Sequence, residues 1–441
     1  MELSHDIWRE IADLLADQSD KRTLLSLALV SRTSSIAALP ALWRDLSSRE
    51  IIFTINSFVP EDDHFLVFHA PDASNGETPG GRWGLSHPIP EFVRVRMSEY
   101  LSYVRSYVHD SDPCAKRWDE DKDLWPLLPV WLGLDSTLFP HLRHLSVYLD
   151  EEYRTEALLS LLCPSISHLE IEFSEDIVGP QTISTILDAI VNVGCVLRRL
   201  LFCGQICLTP LLSTPSAFKH LRHLEIVSYI FQHLELSSRV SIVDLLSSLP
   251  SLNHFFCGVD TYIMPPLGSA VICHDSLVEL NICATASDIE KFLLGFRFPL
   301  LSEIDISVIE GAFPRLKRLH ETITSRSPMI RQFSLLCNTL DPNPPTLDDL
   351  TPLFGLALES VDCRISKAFT ASDVETLVKS LPNLRKLTLL APTCFRAAEI
   401  YIILSQHPRL EDLEVPVDLQ DLLSPSALDH AEEMRNGLKT K

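Results

Sequence analysis

Apolar residues recur along this chain in two alternating periods. Short stretches with apolar residues at their first, fourth and sixth positions begin at Leu142, Ile166, Leu197, Leu221, Leu252, Leu277, Leu301, Ile330, Leu358, Leu384 and Leu410. Near-strict alternation of this kind predicts a strand with one buried face. Between them lie segments with apolar residues at three- and four-residue steps, at 183–193, 240–249, 287–296, 372–381 and 396–406, which predict helices. Ser287 with Glu290 and Ser372 with Glu375 read as capping boxes that start two of these helices. The phrase FPRLKRLHE, from Phe313, follows Leu301 too closely to hold another strand and is read as a helix.

Prolines stand two places before the first apolar position at Pro140, Pro164, Pro250, Pro299, Pro328, Pro382 and Pro408. Each stops a helix and admits an extended chain, because proline lacks the amide hydrogen and fixes φ. The mean spacing of about 27 residues lies in the roughly 20–29-residue range of leucine-rich repeats, each a strand plus a helical return. The usual asparagine at the ninth position is mostly missing; Asn338 alone stands there. The expected fold class is therefore α/β: an irregular leucine-rich-repeat solenoid with parallel strands on its concave side and helices on its convex side.

The first 46 residues follow another pattern. Ser4 precedes an apolar face formed by Ile7, Ile11, Leu14 and Leu15; a second helix is expected from Lys21 through LLSLALVS, and a third short one after Pro40 with Leu42, Trp43 and Leu46. Three helices of this length make a small core, which a partner covering an apolar face would support. The stretches LSHDIWREIADLLAD, TLLSLALVSRTSS and LPALWRDL resemble an F-box, matching at Leu3, Ile7, Ile11, Leu14, Leu15, Leu24, Leu27, Val30, Ser31, Arg32 and Trp43. Ser4 stands where that family usually has proline and Asp6 where it has glutamate. With repeats following, the chain looks like an F-box protein with C-terminal leucine-rich repeats, most similar to the fungal, basidiomycete-type group.

That resemblance implies an F-box at 1–46 and a linker or insertion at 47–135, with exposed loops and a degenerate first repeat around YLSYVRSYVHD. The repeat array follows at 136–418 and a C-terminal tail or cap at 419–441. It further implies a substrate-recognition subunit of an SCF-type (Skp–cullin–F-box) E3 ubiquitin ligase. Leu3, Ser4, Ile7, Ile11, Leu14, Leu15, Leu24, Leu27, Val30 and Trp43 would dock a Skp-type adaptor and through it a cullin, and the repeats would hold a protein target for ubiquitination. The alternative is a repeat scaffold or inhibitor with no ubiquitin link.

Composition narrows the partners. Lys and Arg total 37 against 59 Asp and Glu, a net charge of -22 that has the wrong sign for nucleic acid. No apolar run reaches the ~18 residues of a membrane span, and the acidic N-terminus lacks a secretory pattern. Eleven cysteines without a C-x-x-C pair suit reduced thiols in cytoplasm or nucleus. The glycines at 76, 80, 81 and 84 are followed by no G-K-[ST], so they predict an exposed loop, and no hydrolase, zincin or dinucleotide motif is present. No enzyme activity and no cofactor are expected.

Strand alternation puts the third and fifth positions on the open face. The third-position column begins His144, His168, Arg199, His223, His254 and continues Glu279, Glu303, Gln332, Ser360, Lys386, Asp412. Beside its first half lie Glu170, Leu201, Glu225 and Phe256. These nine residues, from His144 to Phe256, form the candidate target-binding patch, with Arg199 and the histidines as donors to an acidic or phosphorylated target and Leu201 and Phe256 as exposed apolar contacts. His144 and His168 with Glu170 have no further ligand fixed by spacing, so no metal is expected.

Overall fold

The computed structural model describes residues 4–57, 66–69, 82–109, 124–134, 137–149, 155–173, 180–204, 211–212, 218–227, 240–258, 262–263, 271–309, 316–337, 346–364, 370–390, 394–396, 399–400, 403–404 and 407–416. Leu3, Asn338, the segments 71–81 and 110–123 and the tail from 419 lie outside the described residues. The chain divides into two compact units, one of residues 1–221 with 227–230, the other of 222–226 with 231–441.

The first unit opens with α1 (His5–Asp17), α2 (Lys21–Ala28) and α3 (Arg32–Leu42). Ser31 and Ser34 form a capping box that starts α3 at Arg32, well before the start after Pro40 that the sequence suggested. Pro40 lies inside that helix near its end, Trp43 caps it, and Leu46 belongs to the next strand. The core between the three helices is Ala12, Ala16, Leu24, Ala38 and Ala41, with Leu15, Leu27, Ala28 and Leu42 against it. Four of those five centre residues are alanine, so the helices approach closely but bury little apolar area.

From there the chain runs directly into a parallel ladder. The strand Asp45–Ser47 pairs with Ser106–His109, which pairs in turn with His144–Leu149, His168–Phe173 and Arg199–Cys203 in order. The helices Ser48–Asn56, Glu91–Leu101, Leu124–Leu132, Thr155–Leu161 and Pro180–Val193 return the chain between them, as parallel pairing requires. The segment 47–135 therefore contributes a ladder strand at Ser106–His109, where a degenerate repeat was expected, and the ladder already begins at Asp45. An antiparallel hairpin of Leu66–His69 and Arg82–Leu85 also lies in this segment.

The second unit repeats the scheme with eight parallel strands, in the order His223–Val227, His254–Gly258, Glu279–Ala284, Glu303–Val308, Gln332–Cys337, Ser360–Arg364, Lys386–Leu390 and Asp412–Glu414. Its longer helices are Ala286–Gly295, Leu316–Arg326 and Ala371–Ser380. The one at Leu316–Arg326 is the helix read from FPRLKRLHE.

The repeated phrase has a local cause. The amides of Leu142, Ile166, Leu252, Leu301, Leu384 and Leu410 each donate to the carbonyl three residues back, at 3.0 to 3.3 Å. The prolines at 140, 164, 250, 299, 382 and 408 thus occupy the second position of a tight turn, where their fixed φ is already correct. The leucine or isoleucine that closes the turn then enters the core. Serines just before it tie neighbouring turns together: Ser165 Oγ donates to the Leu142 carbonyl at 2.8 Å and Ser276 Oγ to that of Leu252 at 2.8 Å.

Candidate functional site

The N-terminal helices carry apolar side chains that the chain's own packing does not cover. Ile7, Ile11 and Leu14 fall on one stripe of α1 at four- and three-residue steps. Ile7 and Leu14 are exposed and Ile11 half-buried. Leu25 and Leu29, four apart on α2 and its cap, are exposed, Leu29 at 80% and the adjoining Val30 at 68%; Ile36 on α3 is exposed as well. Against this, two of the expected adaptor contacts are internal. Leu24 sits in the alanine core at 1% exposure, and Trp43 is buried, its ring centre 4.6 Å from that of Tyr100. Neither side chain is available to a partner. Leu15 and Leu27 are half-buried against the core, and Ser4 is exposed at the start of α1. Leu25, Leu29 and Ile36 were not picked out from the sequence, although the four-residue step from Leu25 to Leu29 was visible there.

On the first unit's ladder, the third-position column is in register as expected: Ser106 faces His144, His144 faces His168 and His168 faces Arg199. The imidazoles of His144 and His168 lie 4.3 Å apart, tilted by 52°. A shallow cavity of about 200 Å³ is lined by these histidines, Glu170, Arg199, Ser106 and Ser146. Burial holds the His144 imidazolium below its ordinary range; Asp45 opposes this, and Arg143 and Arg199 add to it. Ser167 Oγ lies 2.9 Å from His168 Nδ1. Leu201, expected as an exposed contact, is closed off by the chain at 7% exposure and offers no anchor. The reason is local: every residue of its strand after Arg199 is buried, so alternation fails there.

The second unit treats its histidines differently. His223 Nε2 lies 3.3 Å from Glu225 Oε2 and His254 Nδ1 2.5 Å from Glu279 Oε2, with the two rings stacked at 5.2 Å. Asn281 also donates to Glu279, at 3.2 Å. Phe256 is half-buried. Farther along, burial raises the Glu303 carboxyl above its usual range and Glu279 and Asp305 add to the effect. This face is acidic and its histidines already have carboxylate partners. Among the described residues no group of three or more His, Cys, Asp or Glu is placed to hold a metal ion, and no helix is long and apolar enough to cross a membrane.

No family model matches the sequence, nor does any curated protein. Among solved structures, the chain is similar to the crystal structure of a Bacteroides fragilis protein, with 16% identity over 57% of this chain and 75% of that one and a TM-score of 0.37. A likeness that slight carries no argument about fold or function.

Proposed function

We propose that this chain is the substrate-recognition subunit of an SCF-type E3 ubiquitin ligase, with residues 1–46 acting as the F-box and the strand ladders as irregular leucine-rich repeats. The observation that carries this reading is the set of exposed apolar side chains on α1 to α3, Ile7, Leu14, Leu25, Leu29, Val30 and Ile36, above a core built mostly of alanine. Uncovered apolar surface of this kind is the mark of a protein-binding site. A Skp-type adaptor is the partner the F-box resemblance implies, linking the chain to a cullin. The open face of the repeats then holds a protein target. The chain does no chemistry in this reading; a separate E2 enzyme supplies the ubiquitin.

The test is co-purification with a fungal Skp-type adaptor, comparing the parent chain with Leu29→Asp combined with Val30→Asp. Both positions are exposed, so the variant keeps its fold. Adaptor retained by the parent and lost from the variant supports the receptor. A folded parent that captures no adaptor sinks it and favours the scaffold.

A further inference from the structure

A second column of residues lies just before the open-face column, at the strand starts, and its charge differs between the two units. In the first unit the backbone ladder places Arg44, Arg105, Arg143, Ser167 and Arg198 in register. Arg105 N donates to the Arg44 carbonyl at 2.8 Å, Arg143 N to that of Arg105 at 2.8 Å, Ser167 N to that of Arg143 at 3.0 Å and Arg198 N to that of Ser167 at 2.7 Å. In the second unit the same backbone pattern aligns Arg331, Glu359, Arg385 and Glu411. Over these four positions the row neutralises itself: Arg331 Nη1 reaches Glu359 Oε1 at 3.3 Å and Arg385 Nη1 reaches Glu411 Oε1 at 3.6 Å, while Arg222, at the start of the same row, stands apart from them.

Among the described residues the first unit's row is compensated at Arg44, which is held by Asp17 at 2.7 Å and Asp45 at 3.0 Å. Arg105 donates to the carbonyls of Ser102 and Val104, at 2.7 and 3.1 Å. Arg143 and Arg198 are exposed, and among the described residues none of Arg105, Arg143 and Arg198 has a carboxylate partner. Arg105 and Arg143 are close enough to repel one another. Two cavities adjoin the row. One, of about 330 Å³, is lined by His5, Arg9, Arg44, Arg105 and Tyr103, with Asp13 as its one carboxylate; the other is the histidine-lined cavity beside Arg199. In a chain of net charge -22, a row of guanidiniums without carboxylate partners is a local patch of the opposite sign, the feature an anionic segment would seek.

We infer that the arginine row Arg105–Arg143–Arg198 is a docking strip for an extended, Asp- and Glu-rich peptide segment of a protein partner. Strands stand about 4.8 Å apart, so the row spans about 14 Å, the length of four to five extended residues at ~3.3 Å each. Guanidinium forks match carboxylates in two-pronged geometry. Nucleic acid fits less well, since the surrounding charge is strongly negative and a phosphate backbone longer than the strip meets that charge on either side. The inference takes from the preceding section only that a protein is bound on the ladder, and it needs no adaptor.

The test uses the purified full chain alone and fluorescence anisotropy with four short probes matched to the strip: an Asp/Glu pentapeptide, its Asn/Gln counterpart, a phosphoserine version and a single-stranded RNA of about the same length. The acidic peptide is expected to bind, with affinity falling as salt rises, and the Asn/Gln peptide to show none. Arg143→Glu with Arg198→Glu should weaken binding at least about tenfold, and the milder R143Q with R198Q should weaken it in the same direction. R385E, in the self-paired row, should leave it unchanged. Equal affinity in parent and double-charge variants overturns the strip. Binding of the phosphoserine peptide or of the RNA without the Asp/Glu peptide overturns its assignment to carboxylates.

Discussion

The Thr370 hydroxyl accepts a hydrogen bond from the Asp373 amide at 3.2 Å, while the Asp373 carboxylate accepts from the Thr370 amide at 2.9 Å. This reciprocal pair starts the helix Ala371–Ser380, and Thr285 with Asp288 plays a similar part for Ala286–Gly295. Both helices thus begin two residues before the Ser287 and Ser372 boxes read from sequence. The strand Glu279–Ala284 ends immediately before Thr285, and Ala286, Ile289, Phe292 and Leu293 face the core, so the helix is already formed at Ser287.

Side-chain oxygens at a helix start contribute about 1 kcal/mol each by satisfying a free amide. Thr370→Ala is expected to lower stability by about that amount, whereas Ser372→Ala, within the first turn, should change it by less than about 0.5 kcal/mol. Chemical denaturation of the two variants checks the order; a larger loss from Ser372→Ala would restore the sequence-based boundary.

Trp43 and Leu29 are expected to separate folding from partner binding. Trp43 packs on Tyr100 inside the first unit, and truncating a buried tryptophan typically costs about 3–5 kcal/mol. Trp43→Ala should therefore lower the thermal midpoint of the chain on its own. Leu29→Asp removes no buried contact and should leave that midpoint within a degree or two while acting on any protein that covers α2. Calorimetry of both variants in the absence of partner is the check, and an unshifted Trp43→Ala midpoint would contradict the packing described for that ring.

The register of the ladder was legible in the sequence because one fact controls it: a side chain one place out of step would leave the core. Hence the column from His223 through His254, Glu279, Glu303, Gln332, Ser360 and Lys386 to Asp412 pairs as the spacing of apolar positions aligned it. The start of α3 was harder to read, since Pro40 signals a helix start in most settings and the Ser31–Ser34 box is a serine pair without a glutamate. Leu201 escaped for a different reason. Alternation predicts which side of a strand a residue takes, and what the rest of the chain lays over that side is a tertiary fact. The arginine row was missed because its residues sit between the turns and the strands, outside the alternating positions, and its significance lies in which carboxylates are lacking, a property of neighbours some 25 to 55 residues away in sequence.

His320 should make the second unit acid-sensitive. Its Nδ1 donates to the Asp349 carbonyl at 2.6 Å, its Nε2 is buried without a partner, and the ring packs edge-on against Phe333 at 5.4 Å. Burial pushes its pKa from 6.5 down to about 4. The unfolded chain therefore binds a proton between these values that the folded chain refuses. Stability is fully present above pH 6.5, falls as pH drops toward 4 and levels off below, a loss of roughly 3 kcal/mol from this residue. Buried His274 acts in the same direction, while the raised carboxyls of Glu303 and Asp305 act in the opposite one by gaining protons on folding. His320→Asn keeps an amide donor for the Asp349 carbonyl and removes the titration, so comparing urea midpoints of parent and variant from pH 7.5 to 4.5 isolates this residue. The parent's midpoint should fall more steeply below pH 6.5 than the variant's, and parallel curves would show that the imidazole is protonated in the folded state.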